Sequence, residues 1–277
     1  MIETDDGTAL YLKEWGDGPA VILIHGWPLS ADSWDDQALA IANEGYRVIA
    51  YDRRGFGRSD QPWDGYDYDT LSDDLAAVIE ACDVEDPALV GFSMGGGEVA
   101  RYLTRHNGGD PGGIGGSVRK AALIASVVPF LLQTPDHDGA PQSIFNEMKA
   151  GLRADRADFL KGFLRDFYGV GLLSQPVSDA QLEWSLQVAL QAGLKGTLDC
   201  VDAFSATDFR PDLTSFTMPT LIIHGTADKT VPIDLTARAA AAAIPHAHLI
   251  EYDGAPHGLL ATHKDQVTQD LIDFLEG

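Results

Sequence analysis

The sequence has little of what a disulfide framework, a metal site or a nucleic-acid surface requires. Only two cysteines, Cys82 and Cys200, occur in 277 residues. They are far apart and lack metal-ligand spacing, so no metal and no metal cofactor is expected. Each falls in an apolar, helix-like segment and reads as a buried reduced thiol. Basic charge is also scarce: 19 Lys and Arg face 42 Asp and Glu, for a net charge of −23. Nucleic acid selects for the opposite balance and is excluded as a partner. No apolar run approaches the roughly 18 residues of a membrane span. The N-terminus, MIETDDGTAL, lacks the basic and apolar regions of a secretion signal. A cytoplasmic protein without membrane contact is expected. The acids are spread over helix faces and loops, which describes a solvated acidic surface and says nothing about the reaction.

What is present suits one large core. Hydrophobic residues make up 45% of the chain, and mean hydropathy is −0.07, as in ordinary globular proteins. Short apolar runs alternate with helical periodicity, the pattern of a mostly parallel sheet with crossover helices. Strands are expected at 21–24, 48–51, 88–91, 121–125, 221–224 and 248–252, most of them unbroken Val, Ile, Leu or Ala runs. Residues 9–15 alternate after a DDG turn and read as an antiparallel edge hairpin. Helices fit at 33–43, 70–82, 95–106, 235–244 and 264–275, with Ser72 and Asp73 as cap and first-turn acid of the second. The stretch 127–211 has helical patterns at 144–152, 157–167 and 179–192 and no convincing strand. It reads as a helical cap inserted into a core formed by 1–126 and 212–277, above the sheet edge where ligands bind. Residues 106–117 are dense in Gly and read as a surface loop. A phosphate cradle is the sharper alternative there, but no GxGxxG opens a helix.

Chemistry enters at Gly91-Phe92-Ser93-Met94-Gly95, a G-x-S-x-G between an apolar run and a helical segment. A tight strand-to-helix turn lifts its serine above the sheet, and flanking small residues avoid clashes. Ser93 is the candidate nucleophile, and a serine hydroxyl needs a base held in one tautomer. In hydrolases built on this turn the chain order is Ser, acid, His. His257, in Gly254-Ala255-Pro256-His257-Gly258 after the last strand, is the candidate base. Asp228 follows the run ending at His224 and is the candidate acid. Asp253 is nearer in sequence but points along the strand's exit, and Asp208 and Asp212 lie where the cap returns. Of the other histidines, His25 and His224 end apolar strands before a Gly and suit turn-supporting roles. Two backbone donors must receive the oxyanion: Met94, after the nucleophile, and Trp27, in the loop after the first core strand. Pro28 restricts Trp27 to extended conformations and so fixes where its carbonyl points. Val231 and Pro232 close the acid's loop.

These stretches together resemble the cofactor-free haloperoxidases, perhydrolases and arylesterases of the α/β-hydrolase superfamily. The carriers are HGWPLS (25–30), YDRRGFGRSDQP (51–62), GFSMGGGEVARY (91–102), TLIIHGTADKTVP (220–232) and GAPHG (254–258). FYG (167–169) and TDFRPDL (207–213) add to them, so the likeness spans nearly the whole chain. The resemblance implies a mostly parallel eight-stranded sheet with flanking helices and a helical cap. It implies the triad Ser93, Asp228 and His257, and the oxyanion pair Trp27 and Met94. It also implies an acyl pocket using Trp27, Pro28, Val231 and the cap aromatics Phe145, Phe159 and Phe163, although core packing suits those phenylalanines nearly as well. It implies no metal or haem, small esters or carboxylic acids as substrates, hydrogen peroxide as co-substrate, and assembly into trimers or hexamers. Pro28 after that tryptophan resembles the peroxide-using members; a simple turn proline is the plainer reading. A haloalkane dehalogenase or epoxide hydrolase would carry Asp where Ser93 stands. A lactamase, amidase or C–C bond hydrolase on the same triad stays open.

Overall fold

The computed structural model describes residues 1–107 and 117–277. The Gly-rich loop, and with it the alternative of a phosphate cradle, therefore lies almost wholly outside the described residues. Two short strands, β1 (Ile2–Glu3) and β2 (Ala9–Leu10), form an antiparallel ribbon. The main sheet holds β3 (Leu12–Trp15), β4 (Ala20–Ile24), β5 (Arg47–Tyr51), β6 (Ala88–Phe92), β7 (Lys120–Ile124), β8 (Thr220–Gly225) and β9 (Ala247–Tyr252). Their order is β3-β5-β4-β6-β7-β8-β9, with β3 antiparallel to its neighbour and the others parallel.

The α/β class stands, but the sheet has seven strands among the described residues where eight were expected. The alternating stretch 9–15 is divided at Tyr11. Its N–H donates to Ser59 Oγ at 2.9 Å and its carbonyl accepts from Asp52 N–H at 2.9 Å. Residues on either side therefore pair with different partners. β4, β6 and β8 are buried along their whole length, which is why they read as unbroken apolar runs.

Helices α1 (Asp35–Asn43), α2 (Tyr68–Ala81) and α3 (Met94–Arg105) cross between strands. Helix α2 starts two residues before its expected first turn, at Tyr68. Asp67 caps it by accepting Thr70 N–H, and Asp69 is its first-turn acid. Ser72 and Asp73 therefore sit inside the helix. Between β7 and β8 come α4 (Gln142–Ala154), α5 (Arg156–Phe167), α6 (Asp179–Leu190) and α7 (Leu194–Ala206). The last of these is an addition to the expected three. Helices α8 (Ala237–Ala243), α9 (Leu259–Thr262) and α10 (Lys264–Glu276) complete the chain. Cys200 is buried as expected, whereas Cys82 is half-buried at the end of α2. Among the described residues no helix is long and apolar enough to cross a membrane.

The chain leaves β4 for β5 on one side and β6 on the other, so the strand order reverses beside β6. Open α/β sheets place ligand sites at the carboxyl ends of strands at such a point. The turns after β4, β6, β8 and β9 carry Trp27, Ser93, Asp228 and His257, which brings all four residues to one edge.

Candidate active site

Ser93 is held in the left-handed region, at φ 54° and ψ −118°. A residue with a side chain adopts that conformation only when its surroundings impose it. Here the turn is clamped: Ser93 N–H donates to Ile124 O at 2.8 Å, and Ser93 O accepts from Gly96 N–H at 3.1 Å. The flanking glycines are required by close backbone approach. A Cβ on Gly91 would lie 2.5 Å from Gly95 O, and one on Gly95 would lie 2.4 Å from Ile24 O. Met94 opens α3, so its N–H is among the first-turn donors left without an intrahelical acceptor.

His257 meets this serine from the loop after β9. Ser93 Oγ–H donates to His257 Nε2 at 2.9 Å, and His257 Nδ1–H donates to Asp228 Oδ2 at 2.6 Å. The imidazole is almost fully buried, between the rings of Phe92 at 5.3 Å and Phe167 at 4.9 Å. Gly225 packs so close to the His257 loop that a Cβ there would lie 2.2 Å from Ala255 O. The turn carrying Asp228 and the turn carrying His257 are thus in direct contact. Asp228 Oδ1 accepts two backbone N–H groups, from Thr230 at 2.9 Å and Val231 at 2.8 Å. Burial by itself would raise the Asp228 pKa, but His257 and His224 beside the carboxylate hold it well below the usual range. Asp253 is exposed and accepts from Thr226 Oγ1–H at 3.3 Å, its one side-chain partner among the described residues.

The Gly26–Trp27 turn lies against the nucleophile: a Cβ on Gly26 would stand 2.9 Å from Ser93 Cβ. Gly26 O is held by Leu29 N–H at 3.0 Å and by His25 Nδ1–H at 3.0 Å. His25 Nε2 accepts Arg53 N–H at 3.0 Å, which assigns the Nδ1–H tautomer. Burial and the Arg53 cation push His25 well below its usual pKa and keep it neutral. Arg53 also donates from Nη2 to His25 O at 2.6 Å and from Nε to Glu98 at 2.5 Å. Tyr51 Oη–H donates to Glu98 at 2.5 Å. The peptide whose N–H belongs to Trp27 is therefore fixed from behind by a fully buried ionic cluster.

In front of Ser93 opens a cavity of about 500 Å³. Its walls are Trp27, Val127, Leu131, Phe145, Met148, Phe163, Phe204 and Val231, with Asp166, Lys229 and Thr230 among its polar lining residues. Trp27 is anchored by its indole N–H donating to Thr197 O at 3.1 Å and packs edge-on against Phe163 and Phe204. Of the expected pocket residues, Trp27, Phe145, Phe163 and Val231 line the cavity. Pro28 and Phe159 do not. Pro28 is buried in the turn, and its bond to Trp27 is cis. Phe159 lies one layer back, stacked on Phe163 at 6.3 Å and filling the space beside Gly151. Phe204 was missed, although Leu198, Val201 and Phe204 recur at helical spacing in α7. Among the described residues no group of three or more His, Cys, Asp or Glu is placed to hold a metal ion.

A buried serine–imidazole–carboxylate relay opening on an apolar chamber, beside a nucleophile turn at a sheet switch point, defines a class of fold and site. Residues 19–264 match the α/β hydrolase fold family, and the chain belongs to it. Among its relatives is a non-heme chloroperoxidase of Kitasatospora aureofaciens, 40% identical over 98% of both chains. A bifunctional esterase/perhydrolase of Acinetobacter calcoaceticus is 39% identical over 99% of this chain and 98% of its own. The crystal structure of a bromoperoxidase from Bacillus anthracis superposes with a TM-score of 0.93, at 42% identity, over 100% of this chain and 99% of that one.

Proposed function

We propose that this protein is a serine hydrolase that forms an acyl-enzyme from small carboxylic esters or acids and passes the acyl group to water or hydrogen peroxide. The observation that carries the reading is the Ser93–His257–Asp228 relay, at 2.9 and 2.6 Å, at the floor of an apolar cavity. His257 Nε2 takes the Ser93 proton as Oγ attacks the acyl carbon, and Asp228 stabilises the imidazolium that forms. The N–H groups of Met94 and Trp27 receive the oxyanion. His257 then returns the proton to the leaving oxygen.

In the second half His257 activates water, giving the carboxylic acid, or peroxide, giving the peracid. A peracid released from the site oxidises halide to hypohalous acid in solution. The names of the chloroperoxidase, bromoperoxidase and esterase/perhydrolase relatives support peroxide as an acceptor. Residues 127–211 act as the cap whose Phe145, Phe163 and Phe204 shape the acyl chamber. Assembly into trimers or hexamers, implied by the same likeness, is read by light scattering.

The test is a competition assay on one enzyme batch, comparing p-nitrophenyl acetate hydrolysis with bromination driven by acetate and peroxide. Both activities are expected, and both should vanish in Ser93→Ala with the fold intact. A variant retaining activity within about tenfold of the parent would reject Ser93 as the nucleophile. Hydrolysis without any bromination would reject the peroxide half alone.

A further inference from the structure

The triad acid touches a second histidine that the relay does not use. His224, at the end of β8, is fully buried. Its Nε2 lies 2.8 Å from Val231 O and 3.2 Å from Asp228 Oδ2. Both neighbours are acceptors, so Nε2 must carry the proton. Nδ1 is buried and has no partner among the described residues, and a bare lone pair there costs less than an unpaired buried N–H or a buried imidazolium. His224 is thereby fixed as a neutral Nε2–H donor. We propose that His224 is a positioning residue that pins Asp228 Oδ2 and draws charge from it, setting the strength with which Asp228 holds and polarises His257. This rests on the reading of Asp228 as the triad acid.

The carboxylate is then contacted from four directions. Thr230 and Val231 N–H donate to Oδ1 and His257 Nδ1–H donates to Oδ2, while His224 Nε2, whose N–H is directed at Val231 O at 2.8 Å, stands 3.2 Å from Oδ2. Val231 serves twice, through its N–H on Oδ1 and its carbonyl on His224, so the acid loop closes onto itself through this imidazole. The other charged groups nearby are solvent-facing. Lys229 and Asp166 are exposed lining residues of the cavity, and Glu251, opposite His224 on β9, is paired with Arg238 of α8 at 2.6 Å. Within this shell His224 is the group placed to tune the acid. Without its N–H, Oδ2 carries more charge toward His257, the imidazolium is better stabilised, and the base titrates at higher pH.

Two measurements test this. In the ¹⁵N spectrum of histidine-labelled wild-type enzyme, His224 should show a protonated Nε2 and a bare Nδ1. A proton on Nδ1 overturns the proposal, and no variant need fold for this result. In His224→Leu the acid limb of kcat/KM should move up by about half a pH unit, with kcat/KM about tenfold lower. His224→Gln, which keeps a donor, should recover most of both effects. A Leu profile that overlays the wild type, or Gln and Leu profiles displaced equally, overturns it. Phosphonate labelling of Ser93 separates the two levels. An unlabelled Ser93 defeats the triad reading itself, whereas a labelled Ser93 with an unmoved limb defeats only the role of His224.

Discussion

Replacing Asp228 with Asn changes one atom and keeps the shape, so the structure dictates how the amide must sit. One position, Oδ1, accepts two backbone N–H groups at 2.9 and 2.8 Å. Placing the NH₂ there would leave two buried donors facing a third, at about 1–3 kcal/mol for each unsatisfied group. The other position faces His257 Nδ1 at 2.6 Å and His224 Nε2 at 3.2 Å, and His257 can relieve the conflict by changing tautomer. The oxygen therefore stays at Oδ1 and the NH₂ turns toward His257, which then presents a bare Nδ1 and a protonated Nε2. That nitrogen can no longer accept the Ser93 proton across 2.9 Å. The expected loss in kcat is about 10⁴-fold, or about 5 kcal/mol of transition-state stabilisation. Initial rates on p-nitrophenyl acetate measure it, with circular dichroism to confirm the fold and phosphonate labelling of Ser93 falling in parallel. A loss under about tenfold, or a histidine NMR signal showing Nδ1–H retained in the variant, would refute the relay.

Three further outcomes follow from the same geometry. Gly26→Ala puts a Cβ 2.8 Å from Phe92 Cδ1 and 2.9 Å from Ser93 Cβ, displacing nucleophile and oxyanion turn together. Its kcat/KM should fall about 100-fold in a folded protein, and a loss within threefold would mean the turn gives way freely. Arg53→Met leaves Glu98 buried and unpaired, which should cost about 3–5 kcal/mol in urea titrations. The double variant Arg53→Met/Glu98→Leu should recover much of that, and a single variant losing under about 1 kcal/mol contradicts the account. The depressed pKa of Asp228 also links stability to acid. A carboxylate whose folded pKa lies below its unfolded value, about 3.9, contributes stability above that value and loses it as pH falls through the folded one. The melting-temperature gap between wild type and Asp228→Asn should therefore narrow on acidification below about pH 4. A gap constant with pH contradicts the shift.

The parts legible in the sequence are those encoded locally. Gly91 marks Ser93 because the strand-to-helix turn brings its backbone against Gly95 within one link, and Gly95 shows in the same motif although its own close neighbour, Ile24, lies on β4. Asp228 and His257 follow from chain order and from turn residues beside strand ends. Less legible were features set by distant partners. Tyr11 divides an alternating stretch because its backbone is claimed by Ser59 and Asp52, which no periodicity in 9–15 records. Phe159 and Phe163 share one helix and one residue type, yet the packing of Phe159 over Gly151 sets it one layer behind the cavity. Helix α7 opens without a side-chain cap, at Gly193, and carries Gly196 where the ring of Tyr66 would meet a Cβ at 2.7 Å. The helix signal is diluted for a reason that lies in another segment, and Phe204 was hidden with it.

The two histidines that looked alike in the sequence make the same point about mechanism. Val21-Ile-Leu-Ile-His25-Gly26 and Leu221-Ile-Ile-His224-Gly225 are near copies: an apolar strand ending in His-Gly, one on each side of the nucleophile's strand. Both rings are fully buried, and each works as a donor through one ring nitrogen. Their surroundings select opposite tautomers. At His25 an incoming Arg53 N–H occupies Nε2 and sends the proton to Nδ1, toward Gly26 O. At His224 two oxygens converge on Nε2 and hold the proton there. In the proposed mechanism one ring steadies the peptide that offers Trp27 N–H to the oxyanion, and the other steadies the carboxylate that directs His257. Both places then share one construction, a strand end braced by an imidazole donor. Exchanging the tautomer at either place would turn a donor away from its acceptor without moving a single heavy atom.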